Sequence, residues 1–441
     1  MKRFYRVLCV FLLILAIAPV IAADLVEYVN RPDESFQFEV VETRSITEGT
    51  VTIASLTSQT WQDIPWRHWL AIITPKEVSY PDNMALVIGG GSIRETPPGL
   101  DGGEARVAIQ VAAATKSAIA LLTQVPNQPL FGDLREDHLI AYTYDKYLKG
   151  EGDDWPLLLP MAKSAVKAMD AVQHIMREQF EQEVKGFLLT GGSKRGWTSW
   201  LAAASGDPRV IAIAPVVIDM LNIEPQMQRQ MECYGQYSNQ IDEYTELDLQ
   251  RRMRSQDGKK LQAMVDPYSY RDKLTMPKMM ILGTNDPYWT VDAANFYFPG
   301  LVGEKHLIYQ PNTGHDATIN GISALSHFFY ALQQGKSYPA ISWEKPEPNK
   351  LAVTWQRPGG KAYLWKAVSD TRDFREAFWM SSILEGDGRV EVVVETPESG
   401  WTAFYVEIRW EGELAFPYGN CTEITVLPDT LPYDANGAKR E

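Results

Sequence analysis

Three side chains that together can break an acyl bond stand where predicted strands end in this 441-residue sequence. Ser193 follows the apolar run GFLLT and two glycines, Asp286 lies in ILGTNDPYW, and His315 lies in YQPNTGHDA. A serine hydroxyl is a weak nucleophile at neutral pH, so it needs a histidine base and a carboxylate that orients the imidazole. We therefore predict that these three residues form a catalytic triad.

The turn around Ser193 resembles a nucleophile elbow, in which small neighbours let the serine project from a sharp strand-to-helix turn. Gly191, Gly192 and Gly196 are those neighbours. The usual pattern is G-x-S-x-G, but this chain has Arg195 two residues after the serine, and the glycine comes one residue later. Gly-Gly-Ser is also ordinary turn chemistry. The chain order serine, acid, histidine is that of the α/β-hydrolases, and it favours the catalytic interpretation.

Other residues could take two of these roles. Asp219 follows the strand after the elbow, and some hydrolases of this architecture supply the acid from there, so it is the alternative to Asp286. Asp292 is a further candidate acid. His306 is an alternative base, but it starts the apolar run HLIYQ and is expected to belong to a strand.

An acyl transfer also needs hydrogen-bond donors for the oxyanion of its tetrahedral intermediate. The backbone N–H of Lys194 is one predicted donor, at the positive end of a helix dipole. The second is predicted in the run IGGGS, at Gly90, Gly91 or Ser92. The alternatives for this run are a simple turn, or a phosphate-binding loop that lacks the usual lysine.

Charged and aromatic residues flank the predicted triad. The side chains of Lys194 and Arg195 are either solvated surface charges or contacts for an oxyanion or a substrate carboxylate. Trp197, Tyr288 and Trp289 are candidate walls of a substrate pocket, although a tryptophan in a first helical turn is often a core residue.

Strands that alternate with helices predict a mostly parallel sheet with helices on its faces. Residues 35–43 and 49–61 alternate in polarity and are predicted as two antiparallel strands. Further strands are predicted at residues 69–75, 84–91, 118–126, 186–190, 210–218 and 278–284. Helices are predicted at residues 105–116, 160–180 and 322–335.

We divide the chain into a hydrolase domain at residues 24–337 and a second domain at residues 338–441. Residues 220–276 are longer than an ordinary connection, and we interpret them as a mostly helical insertion, either a lid or a substrate wall. The second domain has short alternating strands separated by turn residues, which predicts a fibronectin III-like β-sandwich.

The N-terminus is predicted to be a cleaved signal peptide, residues 1–23, with three cations before an apolar run. The alternative is an uncleaved membrane anchor. No later stretch is apolar enough to span a bilayer, so we expect a secreted or periplasmic protein. The net charge of −14 argues against nucleic acid or anionic membranes as partners.

Cys233 and Cys421 remain after the signal peptide, and they are either a disulfide or two free buried thiols. The histidines are scattered and no CxxC or HExxH motif occurs, so no metal or organic cofactor is predicted. The oligomeric state is not predicted.

Four segments resemble the PhoPQ-activated pathogenicity-related proteins (PqaA type), a family of secreted α/β-hydrolase-like proteins. They are TGGSKRGWTSW (190–200), PVVIDMLN (215–222), DPYSYRDKLTMPKMMILGTNDPYW (266–289) and PNTGHD (311–316). The resemblance implies the α/β-hydrolase fold and a triad at Ser193, Asp286 and His315. The Ser-x-x-Gly elbow is also similar to that of the glucuronoyl esterases, which have arginine at the place of Lys194.

The sequence therefore predicts a secreted serine hydrolase that cleaves an ester or amide through an acyl-enzyme. Its substrate is a small molecule, a peptide or a glycan ester. The alternative is a catalytically silent binding protein on a hydrolase scaffold, which recognises a carbohydrate, a peptide or a surface protein.

Overall fold

The computed structural model describes residues 22–440 of the chain, and side chains from residue 25 onward. The predicted signal peptide, residues 1–23, lies outside the described residues except for its last two, which begin the first helix, α1 (Ala22–Asn30). Of the helices in the described part, none has the length and apolarity needed to cross a membrane.

A nine-stranded sheet forms the centre of the molecule, in the order β1-β2-β3-β5-β4-β6-β7-β8-β9. The first three strands and β5 pair antiparallel, and every pair from β5 to β9 is parallel. This is the α/β-hydrolase fold that the sequence predicts. The strands are β1 (Gln37–Ser45), β2 (Gly49–Trp61), β3 (Ile64–Pro75), β4 (Asn83–Ile88), β5 (Ile119–Leu122), β6 (Gly186–Gly192), β7 (Val210–Val216), β8 (Lys278–Gly283) and β9 (Lys305–Gln310).

Helices connect the parallel strands, as the alternating pattern predicts. The longest is α4, whose apolar residues recur at spacings of three and four and are buried. The helix α3 was not predicted, because its sequence EDHLIAYTYDKYL is polar at most exposed positions and has a weak apolar pattern. The connecting helices are α2 (Gly103–Thr115), α3 (Glu136–Leu148), α4 (Leu158–Phe180) and α5 (Lys194–Ala204), and α10 (Ile319–Gln333) follows the last strand, β9.

The insertion between β7 and β8 is mostly helical, as the sequence predicts. Its helices are α6 (Ile223–Tyr234), α7 (Asp242–Glu246), α8 (Leu249–Arg252) and α9 (Gln256–Val265), with 3₁₀ turns at Asn239–Ile241 and Pro267–Tyr270. The insertion begins at the carboxyl end of β7, beside the elbow strand β6, so it lies over the edge of the sheet where parallel strands gather their sites.

The C-terminal region forms two antiparallel sheets, one of three strands and one of five. Side chains from both sheets, such as Val353 and Val406, belong to one hydrophobic core with Phe328 of α10. The two regions are therefore packed together, and they share apolar contacts. The strands are β10 (Ile341–Glu347), β11 (Lys350–Trp355), β12 (Lys361–Ser369), β13 (Met380–Leu384), β14 (Arg389–Val393), β15 (Trp401–Trp410), β16 (Tyr418–Cys421) and β17 (Thr425–Leu427).

The two cysteines in the described region are free and buried, so the structure has the second of the two predicted arrangements. Cys233 lies in α6, and Cys421 ends β16. Among the described residues, no group of three or more His, Cys, Asp and Glu side chains is arranged to hold a metal ion.

Candidate active site

Ser193 occupies the sharp turn between β6 and α5. Its φ of 56° and ψ of −127° lie in a region that residues with a Cβ rarely adopt, so this turn is strained. The Ser193 N–H donates to the Val216 carbonyl oxygen at 2.8 Å, which ties the turn to β7. The strand, the turn and the helix together have the form of a nucleophile elbow.

Two glycines make room for this turn. A Cβ at Gly191 would lie 2.8 Å from the Ile88 carbonyl oxygen, and a Cβ at Gly196 would lie 2.8 Å from the Gly191 carbonyl oxygen. Real Cβ atoms are essentially never so close to other atoms, so neither position accepts a side chain. Gly192 differs, because a Cβ there would have no neighbour within 4 Å. The departure from G-x-S-x-G is thus explained: the close approach occurs at Gly196, one residue after the usual place.

His315 lies between β9 and α10, and Asp286 lies just after β8. The Nδ1 atom of His315 is 2.8 Å from Oδ2 of Asp286. The other carboxylate oxygen of Asp286 accepts the Tyr288 N–H at 3.0 Å. Nε2 of His315 is buried and has no protein partner. Ser193 and His315 line the same cleft, so the structure brings the three predicted triad residues to one place.

The loops that carry the acid and the histidine are bound to each other. The Asn285 N–H donates to the Thr313 carbonyl oxygen at 2.9 Å, and the Asn312 N–H donates to Oγ1 of Thr284 at 3.0 Å. A Cβ at Gly283 would collide with the backbone of the histidine loop, so glycine permits their close approach. The relative position of the acid and the base is therefore fixed by backbone contacts.

A segment of the C-terminal region holds both loops from outside. The side-chain amide of Asn285 donates to the carbonyl oxygens of Arg375 at 3.0 Å and Ala377 at 2.7 Å. The Asn312 side chain donates to the Trp379 carbonyl oxygen at 3.0 Å and accepts the Trp379 N–H at 2.7 Å. Sequence reasoning did not find these contacts, because neither asparagine belongs to a catalytic motif.

The two cations after Ser193 are both bound to acidic residues of α3. The Arg195 guanidinium makes two hydrogen bonds to the Glu136 carboxylate, at 2.6 and 2.8 Å. The buried Lys194 ammonium lies 2.9 Å from Glu136 and 3.1 Å from Asp137. Burial raises the pKa of Glu136, but the hydrogen bonds and charges of the two cations outweigh this and lower it to about 2. Lys194 lines the cleft, whereas Arg195 does not. Glu136 and Asp137 had no motif that could have identified them.

The predicted oxyanion residues lie beside the elbow. Ile88, the last residue of β4, is paired with Gly191 of β6, so Gly90 and Gly91 begin the loop next to the turn. Gly91 has a φ of 107°, which favours glycine. The Lys194 N–H is at the first position of α5, where no carbonyl of the same helix can accept it. Gly90 also packs against the guanidinium of Arg195, which thereby supports the loop.

The cleft at Ser193 encloses about 980 Å³, including its open mouth. The three predicted aromatic residues, Trp197, Tyr288 and Trp289, all line it. The Tyr288 ring lies 4.4 Å from the His315 ring, measured between centroids. The rest of the wall comes largely from the insertion, including Met220, Ile223, Met227, Ile241, Leu249 and Met253.

The alternative acid and base residues have partners or surroundings of their own. Asp219 is buried after β7, with one carboxyl oxygen that has no partner. Burial is the main cause that raises its pKa to about 8, and the charges of Asp286 and Asp292 add to it. Asp292 is bound to Arg229 and to Arg372 of the C-terminal region. His306 is buried in β9. In the described part of the chain, Asp286 is the carboxylate hydrogen-bonded to His315, and no hydrogen bond or ion pair joins the other three residues to this imidazole.

This chain is similar to several known proteins. The acetyl xylan esterase from Paenibacillus sp. R4 has a TM-score of 0.48 and 14% identity, over 70% of this chain and 92% of that one. The glucuronoyl esterase from Solibacter usitatus has a TM-score of 0.42 and 14% identity, over 71% and 92%. The Dictyostelium discoideum protein "Autocrine proliferation repressor protein A" is 31% identical over 475 residues, which cover 97% of this chain and 94% of that protein. The model of the PhoPQ-activated pathogenicity-related proteins matches residues 25–375, and this chain therefore belongs to that family.

Proposed function

We propose that this protein is a secreted serine hydrolase that cleaves an ester or amide bond through an acyl-enzyme on Ser193. The observation that carries the proposal is the state of His315. Its Nδ1 lies 2.8 Å from the Asp286 carboxylate, and its Nε2 is unpartnered in the same cleft as Ser193. With a proton on Nδ1 that is donated to Asp286, Nε2 carries the lone pair that a general base needs.

The reaction runs in two halves. In the first, the Ser193 oxygen bonds to the substrate carbonyl carbon as its proton moves to Nε2 of His315. The tetrahedral intermediate then collapses, the bond to the alcohol or amine breaks, and the leaving group takes that proton. In the second half, water attacks the acyl-enzyme by the same path and releases the acid. Asp286 stabilises the imidazolium in both halves.

The oxyanion is stabilised by backbone donors. The N–H of Lys194 is one of them, and Gly90 or Gly91 supplies the other. The side chain of Arg195 supports the glycine loop from behind, since it packs on Gly90 and is fixed by Glu136. In this proposal Arg195 has a supporting role and does not contact the substrate, which agrees with its absence from the cleft lining that includes Lys194.

The first test is covalent labelling by a fluorophosphonate, read by mass spectrometry of the purified protein. We expect one adduct, on Ser193, that disappears in Ser193→Ala and in His315→Ala. Ser205→Ala is the matched control, because this buried serine directly follows α5 and its hydroxyl donates to the Ala202 carbonyl oxygen. An unlabelled Ser193, with a known serine hydrolase labelled in the same tube, would refute the enzymatic proposal.

Export is part of the proposal and rests on residues 1–23. The three cations, the apolar run and the small residues before Asp24 are the pattern of a cleaved signal peptide. N-terminal sequencing of the protein from the periplasm or the medium should begin near residue 23 or 24. An intact N-terminus in the membrane fraction would indicate an anchor instead.

The second candidate function is binding by a hydrolase scaffold that does no chemistry. The Dictyostelium relative is named as a proliferation repressor, which is not the name of an enzyme. The edge strand β13 and its flank offer a surface for such a partner, since Phe378, Met380 and Ile383 are more than half exposed. The labelling experiment separates the two functions, because a binding protein has no need of an activated Ser193.

A further inference from the structure

We propose that the cleft beside Ser193 selects substrates with a bulky, uncharged, apolar substituent on the acyl or the alcohol side of the scissile bond. This inference rests on the proposed function and deepens it, since the triad alone specifies the reaction and leaves the substrate open.

The buried part of the cleft wall is apolar. Met220, Ile241, Leu249 and Met253 line the cleft and are each less than a tenth exposed. Trp197 joins them, with its indole N–H donated to the Val265 carbonyl oxygen, so that its polar edge is already satisfied. A polar substrate group placed here would lose its hydrogen bonds to water without replacement.

The polar side chains that the insertion contributes to the cleft are at least partly exposed to solvent. Glu224 and Arg254 are exposed, and Gln250 and Gln262 are partly exposed. The buried wall that the insertion supplies is therefore apolar, and the buried polar groups that also line the cleft include the Lys194 ammonium and the Tyr144 hydroxyl. This arrangement is typical of sites that bury one apolar part of a ligand and leave the rest outside.

The two cations that follow Ser193 are not free to bind an anionic substrate, and Arg254, a further cation of this cleft, is exposed at its rim. The Lys194 ammonium is held between the carboxylates of Glu136 and Asp137, and the Arg195 guanidinium is held by Glu136. Two cations are thus matched by two carboxylates. A substrate carboxylate, such as that of a uronic acid, would displace these pairs or remain unpaired. The sequence left an acidic sugar open, and the ion pairs argue against it.

Methionines give this wall an adaptable shape. Met220, Met227 and Met253 surround the cleft, and methionine side chains adjust to differently shaped apolar groups. We therefore expect selection by size and polarity more than by exact shape. Burial of each additional methylene should raise kcat/KM about fourfold until the cleft is filled.

Two ester series test the inference and identify the side that enters the cleft. The first varies the acyl chain of 4-nitrophenyl esters from acetate to dodecanoate, and the second varies the alcohol of alkyl acetates over the same lengths. We expect kcat/KM to rise with length in one series. An anionic partner, the mono-4-nitrophenyl ester of adipic acid, should react at least tenfold more slowly than the hexanoate of the same length.

Met253→Trp should lower kcat/KM for the long-chain esters relative to that for the acetate, because the larger ring fills part of the cleft. Met380→Trp is the matched control, since this exposed methionine lies on β13. Equal rates for all lengths in both series, with Ser193 labelled by fluorophosphonate, would overturn the inference and leave the proposed function intact.

Binding to Ser193→Ala keeps the inference testable without catalysis. Decanol should displace Nile red from the cleft, and ethanol should not. Met253→Trp should lower the affinity of the protein for the dye. If Ser193 stays unlabelled while decanol displaces the dye, the apolar site stands and the enzymatic proposal fails. If decanol has no effect, the apolar site is refuted.

Discussion

Asp219 should make the stability of this protein fall as the pH rises, and Asp219→Asn should remove that part of the pH dependence. The carboxyl is buried and its pKa is raised to about 8, chiefly by burial. In the unfolded chain the same group has a pKa of about 3.9. The native state therefore keeps this proton over a pH range in which the unfolded chain has lost it.

The sign and size follow from proton linkage. Below about pH 4 the carboxyl is protonated in both states, so it contributes no pH dependence to the free energy of unfolding. Between about pH 4 and pH 8 only the unfolded state is deprotonated, so the free energy of unfolding falls by about 1.4 kcal/mol per pH unit. From pH 5 to pH 7 this amounts to about 2.7 kcal/mol. Above about pH 8 both states have lost the proton and the contribution levels off.

Urea unfolding of the wild type and Asp219→Asn at several pH values between 5 and 9 measures this difference. Asparagine keeps the shape of the neutral carboxyl but does not titrate in this range. The advantage of the variant should grow from pH 5 to about pH 8 and then stay constant. Asp63→Asn, at an exposed turn, is the control and should show no such trend. A pH-independent difference for Asp219→Asn would refute a protonated Asp219 in the native state.

The remaining predictions concern the elbow, the acid and the loop contacts. Gly191→Ala should lower the free energy of unfolding, measured in urea, by about 3 kcal/mol, because the new Cβ overlaps the neighbouring strand. The same variant should not be labelled by the fluorophosphonate. Gly192→Ala is the control and should change the free energy of unfolding by less than about 0.5 kcal/mol. Asp286→Asn should slow labelling about 10³-fold or more at pH 7 while Asp219→Asn labels normally. Asn285→Ala should slow labelling about tenfold. Asn295→Ala is its control, because it removes a hydrogen bond to the same C-terminal region at a place away from the triad. This control should lower the stability and leave the labelling rate unchanged.

Much of the fold could be predicted because the apolar patterns are local and strong. The parallel strands are short apolar runs such as VIAIAPV of β7, and α4 has a clear helical period. The helix α3 was not predicted because its apolar pattern is weak, and for that reason Glu136 and Asp137 in its first turn were not identified as partners of Lys194 and Arg195. Their function depends on a contact with α5 that is nearly sixty residues away in the chain, and no local pattern encodes such a pairing.

The triad positions could be proposed from order and strand ends, but the choice between Asp286 and Asp219 could not. Both carboxyls follow parallel strands at the same edge of the sheet. The choice depends on where the loop of His315 turns, and that loop is set by backbone hydrogen bonds to the chain around Asn285. In sequence these contacts are invisible, since they involve main-chain atoms that every residue has.

The C-terminal sheets and the hydrolase region are joined at the loops that the proposed reaction depends on. Asn285 precedes the acid by one residue, Asn312 precedes the histidine by three, and both donate to backbone carbonyls of residues 374–379. Effective general-base catalysis requires that the acid and the base keep their geometry within fractions of an ångström. A region that packs on both loops at once restricts their independent motion. The second region is therefore better understood as a support for the loops of Asp286 and His315 than as a separate binding module, and a hydrolase region without it should lose labelling even where it keeps its sheet.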